Sequence, residues 1–500
     1  MDRKPLLGSG TVLAGVVITL LYVTNLVYCQ RSALKVLDAA AEDTDMHANL
    51  MWAKGISEQG WLDPRPYHPW HDWMQVVAPY SQWVSWWGGE EIFQQSPLYA
   101  YVLSLFMHRY FAMRVLQALM SIATCVFIGL LAARVAGRTA GWIAFWLAAL
   151  YAPFYLYSWP FLRDGLGWLL LAASLWALAE LTESNGEERG AWRKALQAGM
   201  FLGLGFLAKE SFQLLIPVVI LALAIFAWKR KAGWKVVAGV AVAAALATSP
   251  LLLRNAIVGA PLLATSNRFA ETFIHGNAGS SSPYLLVIPN ELGNIMYESD
   301  GKALAVVRAT IASHPTGVRG WMWLQVLKLR SLLDPFESPD NLSFYFVRHI
   351  SPIVRFGLRY WMILPAALAG LLLGIWRRER THFWIWIFLI ISLASMLVGI
   401  PLSRYRQSLM VMLIPCAAYF LAILYEWVRR RDFQKACYGA AAVLAGWLLM
   451  LGPLARQPRQ QYERASEYLV SAQIYERLGE EKKAREMMSL VRQRFPEFAK

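Results

Sequence analysis

The chain is poor in cysteine and in charged residues, and both shortages limit the class of protein to which it can belong. It holds 4 cysteines in 500 residues and only 16% charged side chains, against 57% hydrophobic ones and a mean hydropathy of +0.37. Cys125 and Cys416 lie inside apolar runs and Cys437 at the edge of one, so they form no disulfide framework. So apolar a composition excludes a soluble globular protein.

A cleavage site is also missing after the first apolar run, which extends from Leu6 to Val27. The run is long for a signal peptide, and no small-x-small site follows it. Tyr28 precedes Cys29 where a lipoprotein signal has a small residue. We therefore expect an uncleaved signal anchor.

The net charge of +15 is not distributed as in a protein that binds nucleic acid. Basic residues cluster in short gaps between apolar segments, at Arg3/Lys4, Arg134/Arg138, Arg193/Lys194, Lys229–Lys231, Arg377–Arg380 and Arg429–Arg431. When the segments are threaded through a membrane, every cluster falls on one side. The positive-inside rule assigns that side to the cytoplasm and requires no nucleic-acid partner.

Apolar segments long enough to cross about 30 Å of hydrocarbon recur along the chain. They lie near 6–28, 113–133, 141–158, 165–182, 195–208, 212–228, 233–253, 354–376, 382–400, 407–428 and 436–453. The pattern predicts an all-α polytopic membrane protein with about eleven transmembrane helices. Its N-terminus would be cytoplasmic and its C-terminus outward. Segment 97–111 is either a short span or a helix in the interface.

Three outward regions follow from this threading. Within a transmembrane domain of residues 1–453 they are a first loop, 29–96, and a soluble insertion, 254–353; the third is a helical tail, 460–500. From Ala465 to Phe498 the tail matches one tetratricopeptide (TPR) unit at Ala472, Tyr475, Gly479, Ala484 and Pro496, with Val491 in place of a small residue. A TPR-like hairpin cannot bury its apolar face alone, so it packs on the transmembrane domain or on an envelope-protein partner, or it is the remnant of a longer array. The alternative is an amphipathic helix pair with chance matches.

Ionisable residues near the apolar segments gather on the outward side. They are Asp43, Asp45, Arg163, Asp164, Lys209, Glu210, Arg404 and Arg406. Because charge close to hydrocarbon is costly, such residues tend to mark a site. A carboxylate can deprotonate an attacking hydroxyl, and cations can stabilise a departing phosphate. This chemistry suits sugar transfer from a lipid-phosphate donor.

Four motifs in order carry a resemblance to a known family. They are Asp45 to Ala53 followed by Gln95-Ser96-Pro97-Leu98-Tyr99; Gly203-Leu-Gly-Phe-Leu-Ala-Lys209-Glu210; Arg254-Asn255 with Gly259, Pro261, Ser266-Asn267 and Gly276-Asn277; and Arg404-Tyr405-Arg406 with Pro415. Over roughly residues 8 to 430 the chain resembles the GT-C superfamily of polyprenyl-phosphate-sugar-dependent glycosyltransferases. In particular, it resembles the family 39 branch of protein mannosyltransferases and aminoarabinose transferases.

The resemblance implies that Asp45 is the general base. Asp43 is the rival, because the family often has two adjacent acids where Thr44 intervenes here. The structural alternative for Asp43 is capping of the helix that begins near Asp45.

The resemblance also implies ligands for the donor. Asp164 would hold a metal or orient the donor phosphate, while Lys209, Arg404, Arg406 and Arg163 would bind that phosphate. The structural alternatives are an Arg163–Asp164 surface pair, a snorkelling lysine and interfacial anchoring by the arginines.

A divalent metal ion is a candidate cofactor, with His47 and Asp164 as its candidate ligands. His47, His68 and His71 supply imidazoles, although their spacing matches no recognised motif. The aromatic run from Trp61 to Trp87 suits sugar stacking or an interfacial belt.

These observations predict a GT-C-type glycosyltransferase of the bacterial inner membrane, active on the periplasmic side. It would move a sugar from a polyprenyl-phosphate donor to a hydroxyl on a glycan, lipid or protein acceptor, by inverting displacement. The alternatives are a ligase or polymerase of lipid-linked oligosaccharides, a flippase or transporter, and an inactive scaffold. A transporter would show internal repeats and charges near mid-span, and the sequence shows neither.

Overall fold

The computed structural model describes residues 9–183, 190–230, 233–377, 382–452 and 464–496. Its helices are α1 Ser9–Gln30, α2 Leu34–Ala40, α3 Asp45–Gln59, α4 Asp72–Val77, α5 Tyr80–Trp87, α6 Leu98–Ser104, α7 Tyr110–Ala136, α8 Arg138–Ala149, α9 Ala152–Tyr157, α10 Asp164–Glu183, α11 Ala191–Ala208, α12 Phe212–Arg230, α13 Trp234–Val258, α14 Phe269–Asn277, α15 Leu292–Ser299, α16 Ala303–Ala312, α17 Val318–Ser331, α18 Phe344–Ile350, α19 Pro352–Phe356, α20 Tyr360–Trp376, α21 His382–Val398, α22 Ser403–Arg429, α23 Phe433–Leu451, α24 Ala465–Arg477 and α25 Glu481–Arg494. Within these ranges the β-structure is one isolated bridge, Tyr151 to Leu358. The predicted all-α class is confirmed.

Several predicted features lie outside the described residues. They are Arg3 and Lys4, Lys231, the cluster residues 378–380, residues 460–463 of the predicted tail, and Phe498.

Among the described residues, seven helices are long and apolar enough to cross a membrane by length and composition. They are α1 from Gly10, α7, α10 to Thr182, α12 to Lys229, α13, α22 and α23. The remaining predicted spans correspond to α8 with α9, α11, α20 and α21, which do not meet the same criteria. The multi-pass architecture is therefore supported, and the count of about eleven stays a prediction.

Two segments of the predicted threading, 141–158 and 97–111, do not form one continuous long helix. The segment 141–158 breaks between α8 and α9, where Pro153 occupies the first turn of α9. Before α7 begins at Tyr110, the segment 97–111 contains one helix, α6, whose seven residues reach about 10 Å. It is therefore too short to span, and it packs against α3 and α11 instead.

The transmembrane helices differ in how far they are enclosed. In α22, 83% of the apolar window is buried within the protein, against 17% in α23. Outer helices such as α1, α12 and α13 expose large apolar side chains, including Leu20, Leu221 and Leu246. These faces suit contact with lipid, and they leave α22 as the central helix on which the others pack.

The first loop and the insertion share one hydrophobic core. Trp83, Trp86 and Trp87 of α5 are buried against Phe273 of α14 and Met296 of α15. These three tryptophans are core residues, unlike Trp61, which is 61% exposed. The first loop and the insertion thus form a joint cap over one end of the membrane helices.

The tail consists of α24 and α25, joined by a three-residue turn in which Gly479 adopts a positive φ of 73°. It packs on the rest of the same chain, against α2 and on Phe346 of α18. The identification of this hairpin as a TPR unit stays a prediction.

Candidate functional site

The start of α3 places Asp45 below the joint cap that the first loop and the insertion form. Thr44 is the N-cap residue, and its hydroxyl accepts a hydrogen bond from the His47 N–H at 3.3 Å. The capping role considered for Asp43 thus belongs to Thr44. Because Asp45 is the first helical residue, its side chain projects back toward the insertion and the start of α22.

Asp45 receives hydrogen bonds from four side chains. The donors are Arg404 Nη2 at 2.8 Å, Arg268 Nη1 at 3.3 Å, Gln95 Nε2 at 3.1 Å and Asn341 Nδ2 at 3.2 Å. The Asp45 N–H also donates to Asn341 Oδ1 at 2.7 Å. Burial raises the pKa of Asp45, but the charges of Arg404 and Arg268 outweigh it and hold the pKa well below its usual range. Asp45 is therefore an ionised carboxylate in a preorganised setting.

Arg404 connects three carboxylates at the start of α22. Its Nη2 contacts Asp45 Oδ2 at 2.8 Å, and its Nε lies 2.9 Å from Asp340 Oδ2 and 3.6 Å from Asp164 Oδ2. The side chain is only 6% exposed. A planar guanidinium with five donors suits this shared role, because it can serve several acceptors at fixed angles.

Lys209 and Asp164 form the next pair. Lys209 is the C-cap residue of α11, and Asp164 opens α10. Lys209 Nζ lies 3.5 Å from Asp164 Oδ1 and donates to Ser408 Oγ at 2.8 Å. Burial lowers the pKa of Lys209, while the charge of Asp164 opposes that shift. The pair places a cation beside Arg404.

Glu210 ties the Ser-Pro-Leu-Tyr motif to the same group. Its Oε1 accepts from the Ser96 N–H at 2.9 Å and from Ser96 Oγ at 3.1 Å, and it pairs with Arg163. Burial raises the pKa of Glu210, but the charge of Arg163 prevails and lowers it to about 2. Arg163 thus pairs with Glu210 and Asp164 with Lys209, so the surface pair considered for Arg163 and Asp164 does not form.

These residues make up one network, here called the charged cluster. Its members are Asp45, Arg163, Asp164, Lys209, Glu210, Arg268, Glu271, Asp340 and Arg404; Glu271 joins through Arg268 Nη2 at 3.1 Å. The cluster combines acids and cations at the ends of α10, α11 and α22, under the joint cap. Such an arrangement can hold an anion on its cations while a carboxylate takes a proton.

Two predicted site residues lie apart from the charged cluster. The Asp43 side chain is 85% exposed and contacts His71 Nδ1 at 3.3 Å. Arg406 is buried and pairs with Glu337 at 2.9 Å, and it also donates to the carbonyls of Asp334 and Phe336. Its terminal nitrogens Nη1 and Nη2 are engaged by protein acceptors, so the geometry does not support Arg406 as a phosphate ligand.

The predicted metal ligands are not assembled. His47 Nδ1 lies 3.1 Å from the Ala39 carbonyl, and Asp164 faces the cations Lys209 and Arg404. His68 contacts the Ile92 carbonyl at 2.9 Å, and burial lowers its pKa to about 4. Across the described part of the chain, no group of three or more His, Cys, Asp or Glu side chains is suited to hold a metal ion.

Four residues of the cluster region were not singled out from the sequence: Arg268, Glu271, Asp340 and Asn341. Arg268 follows directly after the Ser266–Asn267 motif, which was the available signal. Asp340 and Asn341 stand in Ser-Pro-Asp-Asn, a turn-like sequence inside the insertion with no link to the membrane motifs. Only folding brings these loop residues to Asp45 and Arg404.

Comparison with solved structures finds weak likenesses. The archaeal oligosaccharyltransferase AglB from Archaeoglobus fulgidus, in complex with an inhibitory peptide and a dolichol-phosphate, is 14% identical with a TM-score of 0.45, covering 91% of this chain and 57% of that one. The Archaeoglobus fulgidus oligosaccharyltransferase tethered with an acceptor peptide is 13% identical with a TM-score of 0.45, covering 89% and 55%. Its complex with Zn and sulfate is 15% identical with a TM-score of 0.38, covering 76% and 47%. The chain spans about half the length of these proteins.

No curated protein sequence matches the chain significantly. Residues 95–253 match the family model described as "Dolichyl-phosphate-mannose-protein mannosyltransferase". The matched part includes the Ser-Pro-Leu-Tyr motif, Asp164 and Lys209-Glu210, and it ends before Arg268. This match, over residues 95–253, confirms that the chain resembles lipid-phosphate-sugar-dependent glycosyltransferases, as the sequence predicts.

Proposed function

We propose that the protein transfers a sugar from a polyprenyl-phosphate donor to a hydroxyl acceptor, with inversion, on the periplasmic face of a bacterial inner membrane. The observation that carries this proposal is the position of Arg404, which contacts the carboxylates of Asp45, Asp164 and Asp340 beside Lys209. The matched family's name combines a lipid-phosphate-linked mannose with a protein acceptor, which supports a lipid-phosphate donor here.

The donor phosphate would bind to Arg404 and Lys209. Arg404 is buried and Lys209 is partly buried; both lie at helix ends beside Asp164, whose charge opposes the lowering of the pKa of Lys209. The polyprenyl chain would leave along the apolar helix faces. As the bond between the sugar carbon and the phosphate oxygen breaks, these cations would stabilise the polyprenyl phosphate that departs. Arg163 would act indirectly, through its pair with Glu210.

Asp45 would accept the proton of the acceptor hydroxyl while that oxygen bonds to the sugar carbon. Its low pKa makes it a weak base as long as Arg404 and Arg268 are directed at it. A phosphate on Arg404 would compete for that charge and would raise the pKa of Asp45. Donor binding would thus strengthen the base when it is needed.

The test compares Asp45→Asn with Asp43→Asn in the full chain, purified in nanodiscs. Mass spectrometry follows consumption of polyprenyl-phosphate monosaccharides in the presence of envelope acceptors. We expect Asp45→Asn to lose about a hundredfold or more in kcat. The matched control Asp43→Asn makes the same chemical change on an exposed side chain and should stay within about twofold.

Equal activity of wild type and Asp45→Asn would remove Asp45 as the base. Consumption of lipid-linked oligosaccharides alone would replace the proposal with the ligase alternative. If the folded wild type consumed no lipid-linked donor, transferase function itself would be rejected.

A further inference from the structure

A short segment of the insertion lies between the charged cluster and the C-terminal tail. This segment, residues 337–343, is here called the strap. Toward the site, Asp340 contacts Arg404 at 2.9 Å, and Asn341 exchanges hydrogen bonds with Asp45 at 2.7 and 3.2 Å. Ser338 Oγ also accepts from the Ser403 N–H at 3.0 Å, just before Arg404. The strap therefore sets the positions of both Asp45 and Arg404.

The other end of the strap is held by the tail. The Ser343 N–H donates to Glu467 Oε1 of α24 at 2.6 Å, and both residues are buried. Next to this bond, the ring of Tyr468 packs edge-to-face on Phe346, with ring centroids 5.0 Å apart. Tyr468 is fully buried, so the contact is part of the core. Glu467 thus binds the backbone of Ser343, which lies two positions along the chain from Asn341.

The tail also holds the segment that leads to Asp45 from the N-terminal side. Tyr475 Oη accepts a hydrogen bond from the Ala33 N–H at 3.0 Å, directly before α2. Asp38 in α2 is fixed by Arg114 at 2.8 Å and by the Phe161 N–H at 2.8 Å. One hairpin therefore contacts both chain segments that meet at Asp45.

The Glu467 contact is costly to lose. The Ser343 N–H is buried, and without an acceptor it would be left unsatisfied, which destabilises its surroundings. A hydrogen bond to a carboxylate is stronger than one between neutral groups. The least costly response to its loss is a shift of the strap, because the strap is loop structure between α17 and α18.

We propose that the C-terminal hairpin is a positioning element of the active site. Glu467 holds Ser343, and through it the strap that sets Asn341 against Asp45 and Asp340 against Arg404. The catalytic part of this inference rests on the proposed function, whereas the structural part stands on the contacts alone.

The first test needs no substrate. Hydrogen–deuterium exchange is measured on the full chain for wild type, Glu467→Leu, Glu467→Gln and Glu476→Leu. Glu467→Leu should speed exchange severalfold in peptides covering the strap and the start of α3. Glu467→Gln keeps an acceptor oxygen and should retain most of the protection. Glu476→Leu makes the same change at an exposed position of α24 and should leave both peptides unchanged.

The second test is kinetic. Glu467→Leu should lower kcat by about tenfold or more, with the KM for the lipid-phosphate donor changed less than about twofold, because misplacement of a reacting group acts on the chemical step. In an Asn341→Ala background the same substitution should lose most of its effect, since both changes act through one contact. Glu467→Gln should restore most of kcat.

The outcomes separate this proposal from the proposed function. Unchanged exchange in the strap of Glu467→Leu, or an equal change in Glu476→Leu, would overturn it. Faster exchange with wild-type kcat would overturn the positioning role. If wild type consumes no donor, the proposed function fails. Faster exchange of Glu467→Leu at the strap and at the start of α3 would still support the structural part of the inference. If Glu467→Leu does not fold, Tyr475→Phe replaces it, with faster exchange expected at residues 31–38.

Discussion

Single residues on one helix turn have opposite environments in this protein. Arg404 and Arg406 are two positions apart on α22, and residues at that spacing do not share a helix face. Arg404 therefore contacts the carboxylates of the charged cluster, while Arg406 pairs with Glu337 and stacks 4.5 Å from the ring of Tyr360. The sequence offered both arginines equally as phosphate ligands, because spacing alone does not show which face meets the site.

The pH dependence of the reaction should report the cations around Asp45. Arg268 holds the pKa of Asp45 down, so Arg268→Gln should raise that pKa. A base is active when deprotonated, and the acid limb of the profile of kcat/KM against pH should therefore move to higher pH. Arg65→Gln is the control, because Arg65 is 80% exposed and pairs with Glu90. An unmoved acid limb in Arg268→Gln would contradict the assignment of Asp45.

At the level of elements, the close packing of α11 on α13 sets the position of Lys209 relative to Asp164. Gly199 and Gly203 of α11 lie against α13, and a Cβ on Gly203 would stand 2.6 Å from the Ala244 carbonyl oxygen. Small residues four apart let two membrane helices approach closely. Since Lys209 ends α11, the depth of this packing decides how far its side chain reaches toward Asp164.

Gly203→Ala should therefore lower the thermal stability of the protein. The added methyl group meets backbone, which cannot yield as a side chain does, and we expect a loss of about 1–3 kcal/mol. Gly15→Ala in α1 is the matched control, because a Cβ there has open space. Thermal unfolding in detergent, followed by tryptophan fluorescence, measures both. Equal midpoints for Gly203→Ala and wild type would show that α11 and α13 pack less closely than described.

At the level of the whole molecule, the site is assembled from distant parts of the chain. Asp45 comes from the first loop, Asp164 from the start of α10, Asp340 from the insertion and Arg404 from α22. All of them lie under the joint cap that the first loop and the insertion form. Which side of the membrane this cap faces stays a prediction, based on the positions of the basic clusters.

Thiol labelling tests that orientation. Of the four cysteines, Cys29, Cys125 and Cys416 are buried and Cys437 is exposed, on the side predicted to be cytoplasmic. In intact cells, a membrane-impermeant maleimide should label Asp43→Cys in a Cys437→Ser background. Cys437 of the wild type should react only after the cells are permeabilised. The reverse pattern would invert the topology and would place the charged cluster in the cytoplasm.

The sequence by itself determined the class of this protein, its membrane character and the motifs that carry its family resemblance. These depend on composition, segment length and local spacing, which folding does not alter. It also identified Asp45, Asp164, Lys209 and Arg404, because charge beside apolar segments is costly and conspicuous.

Only the tertiary structure decided which of the candidates meet. It separated Asp43 from Asp45 and Arg406 from Arg404, and it added Arg268, Asp340 and Asn341 from a loop without periodic pattern. It also placed the tail against the strap, through a backbone hydrogen bond that has no trace in the side-chain sequence. Contacts between segments hundreds of residues apart depend on how helices pack, and local sequence does not encode that packing.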